Sequence, residues 1–366
     1  MTKSDGRNKP VKEELKMNPL RSASRTLFLL VVATATTLDA TAQQEPEPLY
    51  DGFLDTFKQE YFSLGMLLQT VADFQFDRTQ VGNNGFSMAN FRLLLSGEMD
   101  AGFGYVLATN FINSPAILDA MMYYRASSAV SLGVGQFKVP FSQEFLTYAG
   151  SIDFVNRSQA VTALAPGRQI GAQVAIEKLA GKFGLTIGAF NGNGLSANSN
   201  DNDDLLFAVR LSGVLEMERE GSQNGRFRYG VNVAHSNDDD LSFGNGLVSS
   251  FSGKRTLAGG DIRAEFGNLL FAGEVIHTSL SPEIGVARHP WGFHATAGLL
   301  FSPKIQGLVR WDGFDGDNFD GRSDLLVFGL NVWPTSVTEI QLNYIIDTEE
   351  AAVDHHQLLV NFQLGF

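Results

Sequence analysis

The sequence predicts an all-β fold, a transmembrane antiparallel β-barrel of sixteen strands with long extracellular loops and short periplasmic turns. Three observations predict it. The last strand alternates apolar and polar residues up to a terminal aromatic, the first residues form an export signal, and the connections between strands alternate in length. An even number of strands with short turns on one side and long loops on the other is typical of bacterial outer-membrane barrels.

The last ten residues, 357–366, are the clearest strand. Because side chains alternate faces along a strand, this segment has one apolar face and one mostly polar face. Terminal residues of soluble proteins are usually solvated, whereas an outer-membrane barrel often ends on an aromatic residue in its interfacial girdle. The alternative is the last strand of a soluble β-sandwich. Every second position before Phe366 is apolar: Leu358, Val360, Phe362 and Leu364.

The first 42 residues have the pattern of a signal peptide. Two arginines precede an apolar run at 27–32, and Ala40-Thr41-Ala42 has the small-x-small pattern of a cleavage site. The run is too short to span a bilayer as a helix. Met17 is an alternative start, because residues 17–42 alone make a conventional signal peptide. We expect residues 43–59 to be a periplasmic lead-in and residues 60–366 to be the barrel domain.

Strand boundaries follow from alternation between turn signals. In the second strand, for example, Phe91, Leu93 and Leu95 lie opposite Arg92 and Ser96. Short connections take turns with long ones rich in Gly, Asn, Asp and Ser, an order that a sandwich has no reason to show. Sixteen strands enclose an aqueous lumen. The predicted strands are 60–76, 85–99, 102–113, 117–125, 128–138, 168–177, 181–191, 204–217, 225–236, 256–266, 269–280, 290–302, 304–314, 322–333, 336–347 and 356–366.

Composition excludes several classes of function. The chain has no cysteine, and its net charge of −13 becomes −16 without residues 1–42, with 20 basic against 36 acidic residues left. This charge argues against nucleic-acid binding. The six histidines show no metal-ligand spacing and no catalytic signature, so we expect neither an enzyme nor a cofactor. The acidic runs at 201–204, 238–240 and 315–324 do not match a Ca²⁺ loop and are read as solvated loop residues, with no metal.

The connection 139–167 is long but rich in large apolar residues. A loop of this length is usually functional or disordered, and its apolar content argues against disorder. We expect this third extracellular loop to fold into the lumen, where polar residues such as Glu144 and Arg157 line the narrowest part of the channel. The alternative is an outer loop that packs at a subunit interface.

Several motifs in this region resemble the phosphate-selective porin O/P family. Their order along the chain matches the family, and the likeness is densest over residues 119–212. Two positions depart from it: Asn156 stands where the family often has an acidic residue, and Gln169 replaces an aspartate. The matching segments are Gly135-Gln136-Phe137-Lys138-Val139-Pro140-Phe141-Ser142, Asp153-Phe154-Val155-Asn156-Arg157-Ser158, Ala165-Pro166-Gly167-Arg168-Gln169-Ile170-Gly171, Gly188-Ala189-Phe190-Asn191-Gly192, Arg310-Trp311-Asp312 and Gly329-Leu330-Asn331.

The resemblance implies a sixteen-stranded, trimeric outer-membrane porin in which basic residues contact anions. By this resemblance Lys138, Arg157 and Arg168 occupy matching motif positions. Guanidinium groups offer bidentate donors to phosphate, so inward-facing arginines are further candidates. The alternative for three of them (Arg125, Arg263 and Arg310) is structural pairing with carboxylates. The constriction and anion-binding candidates are Lys138, Arg157, Arg168, Arg125, Arg92, Arg210, Arg263, Arg310 and Glu144.

We therefore expect a porin in the bacterial outer membrane that allows passive diffusion of small hydrophilic solutes or inorganic anions, with a phosphate preference as the finer hypothesis. The expected partners are outer-membrane lipid, the permeating solutes and two further copies in a homotrimer. The alternative is a barrel that acts as a structural anchor or adhesin through its acidic extracellular loops.

Overall fold

The computed structural model describes residues 61–76, 84–112, 116–179, 183–195, 198–217, 225–244, 248–317, 322–349 and 356–366. The predicted signal peptide, 1–42, and lead-in, 43–59, lie outside the described residues. None of the helical turns in these ranges has the length and apolar composition needed to cross a membrane.

Sixteen strands follow one another along the chain, and the longest interruption contains short helices. Two α-helical turns, α1 (Gln143–Leu146) and α2 (Gln159–Leu164), lie between the fifth and sixth strands. The strands are β1 (Ser63–Gln75), β2 (Gly85–Glu98), β3 (Phe103–Asn110), β4 (Ala116–Ser127), β5 (Val130–Lys138), β6 (Arg168–Leu179), β7 (Phe183–Phe190), β8 (Leu206–Met217), β9 (Gly225–Asp238), β10 (Gly253–Phe266), β11 (Leu269–Pro282), β12 (Trp291–Ser302), β13 (Ile305–Asp315), β14 (Arg322–Val332), β15 (Thr338–Asp347) and β16 (Gln357–Gly365).

The strands form one closed antiparallel barrel. Each strand pairs with its neighbours in sequence, and β1 pairs with β16, where Leu67 lies opposite Gly365 and Gln75 opposite Gln357. Closure leaves no unpaired sheet edge. The predicted closed barrel of sixteen antiparallel strands is confirmed.

One predicted loop is shorter than expected. Residues 237–255 were predicted to connect β9 and β10, but β9 continues to Asp238 and β10 begins at Gly253. A buried ion pair explains the extension, since Arg255 Nε lies 2.7 Å from Asp238 Oδ2. Both charges are compensated in place, so the two strands continue as a paired ladder beyond the predicted ends.

The barrel wall has an apolar face and a polar face. Phe86 is 76% exposed and Phe301 is 64% exposed on the apolar face, whereas Gln341 and Asn232 are buried on the other. The two faces follow from the period-2 alternation of the sequence. In β16, Phe362 is half exposed while its neighbour Asn361 is buried. We call these sides of the wall the apolar face and the polar face.

The largest buried apolar cluster does not lie between strands but between the wall and residues 139–167. Val139, Phe141, Val161 and Leu164 pack there against apolar side chains of β7, β8, β10 and β11. Those side chains are Phe190, Leu206, Leu257 and Ile276. A connection this apolar is held by burial as well as by hydrogen bonds.

Candidate functional site

Residues 139–167, here called the third-loop segment, contact the polar face over much of the ring. Among the described residues, ten strands provide side chains that hydrogen-bond to the segment, and β1, β8 and β15 are among them. These side chains include Gln69, Lys138, Gln169, Arg210, Arg263, Glu274, Arg310, Asn331, Asn343 and Gln363.

Two serines start the helical turns of the segment. Ser142 Oγ accepts a hydrogen bond from Phe145 N at 2.9 Å, and Ser158 Oγ accepts one from Val161 N at 3.4 Å. A serine side chain at this position satisfies one of the free N–H groups of a first helical turn. The sequence therefore sets where each helix begins.

Wall carboxylates bind the same helix N-termini. Glu274 Oε2 accepts a hydrogen bond from Glu144 N at 3.1 Å, and Asp312 Oδ1 accepts one from Gln159 N at 3.1 Å. Negative charge is favourable at a helix N-terminus, and a hydrogen bond to an ionised acceptor is stronger than a neutral one. These contacts hold α1 to β11 and α2 to β13.

Two glycines of the wall allow the segment to approach closely. A Cβ at Gly292 would lie 2.9 Å from the Cβ of Ala160 in α2, and one at Gly329 would lie 2.9 Å from the ring of Phe154. Both distances are too short for carbon atoms. The wall is therefore shaped to receive these two parts of the segment.

A second part of the segment, residues 149–155, is held by side-chain amides. Gln69 and Gln363 donate to the carbonyls of Ala149 and Gly150, at 3.5 and 3.0 Å. Further along, Gln341 Nε2 donates to Ile152 O at 3.0 Å, Asn331 Nδ2 donates to Asp153 O at 2.8 Å, and Asn343 Oδ1 accepts from Val155 N at 2.8 Å. These anchors carry no charge.

Four of the candidate cations lie close together. Lys138 lies near enough to Arg92, Arg157 and Arg168 for their charges to interact, with Asp119 also in range. Arg168 binds Asp119 through two bonds, at 2.9 and 3.1 Å. We call these five residues the basic cluster; it combines four cations with one carboxylate.

Main-chain carbonyls orient two members of the basic cluster. Lys138 Nζ lies 3.0 Å from Thr147 O at the C-terminal end of α1, and Arg157 Nη2 lies 2.7 Å from the same oxygen. Arg157 Nε also donates to Glu144 O at 3.1 Å. Carbonyls favour cations at the end of a helix but do not neutralise their charge.

Three other candidate arginines form ion pairs beneath the segment. Arg210 contacts Asp261 at 2.6 Å. Arg263 contacts Asp153 of the segment at 3.1 Å. Arg310 lies 3.1 Å from Asp312, donates to Asn156 O at 3.0 Å and is stacked over the ring of Phe154. Buried charges of this kind are expected to be paired, and these arginines are oriented by their partners.

Glu144, the acidic candidate, lies where these groups meet. It accepts hydrogen bonds from Ser158 N at 2.9 Å and from Ser158 Oγ at 2.7 Å, and its carboxylate is 3.5 Å from Arg310 Nη1. Burial acts to raise the pKa of Glu144, but His294, Arg310 and the Ser158 hydrogen bonds outweigh it and place the pKa below its ordinary value. Glu144 is therefore ionised at neutral pH.

Arg125 is separate from the other candidates. It lies near the opposite end of β4 from Asp119 and pairs with Glu98 at 2.8 Å, with its guanidinium over the ring of Tyr123. Both of these contacts are with residues of the barrel wall, so the geometry supports a structural role for Arg125.

The sequence did not single out Gln341, which donates to Ile152 O, Asn361, which donates to Gln341, or His294, which lies 3.9 Å from Glu144. His294, Gln341 and Asn361 are buried on the polar face, and only their parity on a strand could have indicated it. Among the described residues no group of three or more His, Asp or Glu side chains is arranged to hold a metal ion.

Comparison with solved structures shows the same fold in several outer-membrane proteins. The anion-selective porin from Comamonas acidovorans superposes with a TM-score of 0.60 at 13% identity, over 83% of this chain and 99% of that chain. Salmonella typhi OmpF in complex with daunomycin gives 0.57 at 10% identity, over 83% and 97%. The trimer form of Vibrio cholerae OmpT gives 0.55 at 9% identity, over 83% and 99%.

Identities this low show a shared fold alone, and no curated protein matches the chain. Sequence comparison is more specific: the model named "Phosphate-selective porin O and P" matches residues 65–218. This range covers most of β1, all of β2 to β8, the third-loop segment and the basic cluster, and it confirms the resemblance carried by the motifs. The first half of the barrel is therefore similar in sequence to the phosphate-selective porin O and P family.

Proposed function

We propose that this porin is a water-filled channel for passive diffusion of small hydrophilic solutes, with a preference for anions. In this proposal the third-loop segment lies in the lumen and forms the narrowest part of the channel. Its hydrogen bonds to strands as far apart in the ring as β1, β8 and β13 support this placement. A single segment can reach so many strands of a closed barrel from the inside.

The basic cluster is the observation that carries the anion preference. Four basic side chains lie near one carboxylate, and Arg157 and Lys138 are oriented by main-chain carbonyls of the segment. Rings and groups of basic side chains select anions in pores. The permeating ion would meet these charges at the segment.

The acidic composition of the chain does not oppose this proposal. Carboxylates that face the segment are engaged beneath it: Asp261 with Arg210, Asp153 with Arg263, and Asp312 with Arg310 and the N-terminus of α2. Charges on distant extracellular loops are screened within about 8 Å at physiological salt. Selectivity therefore depends on the groups at the narrowest part rather than on the net charge.

The second part of the proposal is that phosphate is the preferred anion. The planar guanidinium groups of Arg92 and Arg157 have the geometry for bidentate contact with phosphate oxygens. The relative from Comamonas acidovorans is described as anion-selective, and the family name refers to phosphate. Both are consistent with an anion such as phosphate as the preferred solute.

We further propose a homotrimer in the bacterial outer membrane, exported with cleavage after Ala42. One solved relative is described as a trimer, and exposed apolar residues such as Phe86, Val231 and Phe301 on the apolar face suit contact with lipid. These statements concern assembly and do not affect the selectivity argument.

Single-channel recording in a planar bilayer tests the function. We expect stepwise open-channel currents, a reversal potential in a salt gradient that indicates anion preference, and block of chloride current by added phosphate. Absence of channel steps would favour the anchor or adhesin alternative. A cation preference would contradict the anion proposal, and unblocked chloride current would contradict the phosphate step.

Charge reversal within the basic cluster tests whether its residues determine the ion selectivity. Arg157→Glu is expected to shift the permeability ratio toward cations by about tenfold, because two unit charges change at the constriction. The matched control is Lys254→Glu, on an exposed residue of β10 away from the segment. Equal shifts for the two variants would refute the placement of the constriction. Lys138→Glu is expected to act in the same direction as Arg157→Glu.

A further inference from the structure

Three titratable side chains form a row across adjacent strands of the polar face. Glu274 on β11 lies directly opposite His294 on β12, and His294 lies directly opposite Asp312 on β13. All three are buried, with 5%, 8% and 1% of their surfaces exposed. The row faces the third-loop segment, and its central member is His294.

The two outer members of the row hold the helical turns. Glu274 accepts from the second N–H of α1 and Asp312 from the first N–H of α2. His294 therefore lies between two carboxylates that anchor the segment. Its charge state changes the electrostatic environment of both anchors.

His294 itself has little hydrogen bonding. Among the described residues, neither Nδ1 nor Nε2 has a hydrogen-bond partner, and Nε2 lies 3.9 Å from Glu144 Oε2 in the segment. One oxygen of Glu274, Oε1, also has no partner within the same ranges. A buried polar group without a partner costs free energy, so this arrangement has unused capacity for a proton.

Charged and titratable groups face His294 from four elements. They lie on the segment, β10, β11 and β13 and comprise four carboxyl groups and two guanidinium groups. Burial and the two arginines act against protonation, whereas the carboxylates act for it. The facing groups are Glu144, Asp153, Glu274, Asp312, Arg263 and Arg310.

We propose that His294 is a positioning residue that binds a proton and thereby tightens the hold of the wall on the third-loop segment. The proposal rests on the proposed function, because it concerns the rigidity of the constriction. An imidazolium beside Glu144, whose Oε2 lies 3.9 Å from His294 Nε2, adds an ion pair between β12 and α1. The segment is then held more firmly at mildly acidic pH than at pH 8.

The open-channel current noise of the wild-type porin measures how firmly the third-loop segment is held. Movements of the segment modulate the current, so we expect the excess noise to fall by about fivefold between about pH 8 and pH 5.5, the change expected when one partly buried ion pair is added. A noise level that does not change over this range would overturn the proposal. Absence of channel steps at any pH would instead refute the proposed function.

Two histidine variants test whether His294 causes the pH dependence of the current noise. In His294→Gln the noise is expected to stay at the high-pH level throughout, while the conductance at pH 8 is retained. The matched control is His235→Gln, since His235 lies exposed on β9 and bonds Thr256 rather than the segment. A full pH response in His294→Gln, or its loss in His235→Gln, would overturn the assignment.

A third variant covers the case in which His294→Gln does not fold. Glu144→Gln changes the segment and leaves every strand intact, and it removes the carboxylate nearest to the imidazole. We expect the pH response of the noise to be reduced by about half or more. An unchanged response would contradict the proposal that Glu144 is the ion-pair partner of the protonated His294.

Discussion

Two parts of the third-loop segment are anchored by different chemistry. Residues 149–155 bind the wall mainly through neutral amides of β1, β14, β15 and β16, such as Gln341 and Asn343, with one ion pair between Asp153 and Arg263. The helical turns α1 and α2 bind through charges of β11 and β13, such as Glu274 and Arg310. The amide anchors do not titrate, whereas the charged anchors depend on pH. The difference teaches that one part of the third-loop segment has a pH-independent support, whereas the other part has a support that depends on pH.

Because the chain has no cysteine, an introduced thiol can report separately on each of these two parts of the segment. Asn156→Cys places a reporter thiol on an exposed residue beside the charged anchors, and Ser151→Cys places one among the amide anchors. The rate of reaction with a membrane-impermeant maleimide measures how often each part opens. The three predictions that follow use these reporters.

The largest effect is expected from Arg310→Met. Arg310 is buried and contacts Asp312, Glu144 and Asn156 O. Loss of its charge leaves two buried carboxylates without this cation, at a cost of about 3–5 kcal/mol. We expect the labelling rate of the Asn156→Cys reporter to rise strongly and that of the Ser151→Cys reporter to change little. Equal increases at both reporters would show that the segment opens as one unit. This result would contradict separate anchoring of its two parts.

A smaller effect is expected from Gln341→Leu. The change removes the bond to Ile152 O and the bond accepted from Asn361, and it leaves a buried carbonyl unpaired at a cost of about 1–3 kcal/mol. The Ser151→Cys reporter is expected to react faster, by the same factor at pH 5 and pH 8. The matched control is Gln357→Leu, since Gln357 bonds Asp73 rather than the segment. A pH-dependent effect of Gln341→Leu would contradict a neutral anchor.

The smallest effect is expected from acidification through Glu144 alone. Its pKa lies below the ordinary value, so its contribution to holding the segment is complete above that ordinary value and is lost as the pH falls through the lower one. We therefore expect labelling of the Asn156→Cys reporter to rise only below about pH 4.5. Glu144→Gln should remove this rise and leave the Ser151→Cys reporter unchanged. An increase that begins near neutral pH would contradict an ionised Glu144.

Sequence reasoning recovered the strands because alternation is a local property. Phe91 and Arg92 lie on opposite faces in any register, so the second strand could be read directly. The pairing of Arg210 with Asp261, rather than of Arg263 with Asp261, depends on neighbouring strands and could not be read from spacing two apart. Arg310 and Asp312, which are also two apart, do pair. Spacing along one strand therefore suggests partners but does not choose among them.

The third-loop segment was harder to predict than the strands. Its length and apolar content indicated an ordered loop, but α1 and α2 are only four and six residues long and their helical pattern is too short to detect. Ser142 and Ser158 were visible as helix-starting residues only once their bonds were known. The basic cluster was found because its motif residues resemble a family, whereas Gln341 and His294 carry no motif.

The two glycines of the wall restrict how this barrel can be re-engineered. Gly292 and Gly329 leave room for Ala160 and Phe154, and any larger residue at either place would collide with the segment. A chimera that carries residues 139–167 in another sixteen-stranded barrel thus needs small residues at both wall positions. Conversely, a larger side chain at one of them would displace the segment from the wall and offers a way to change the width of the proposed channel without altering the sequence of the segment.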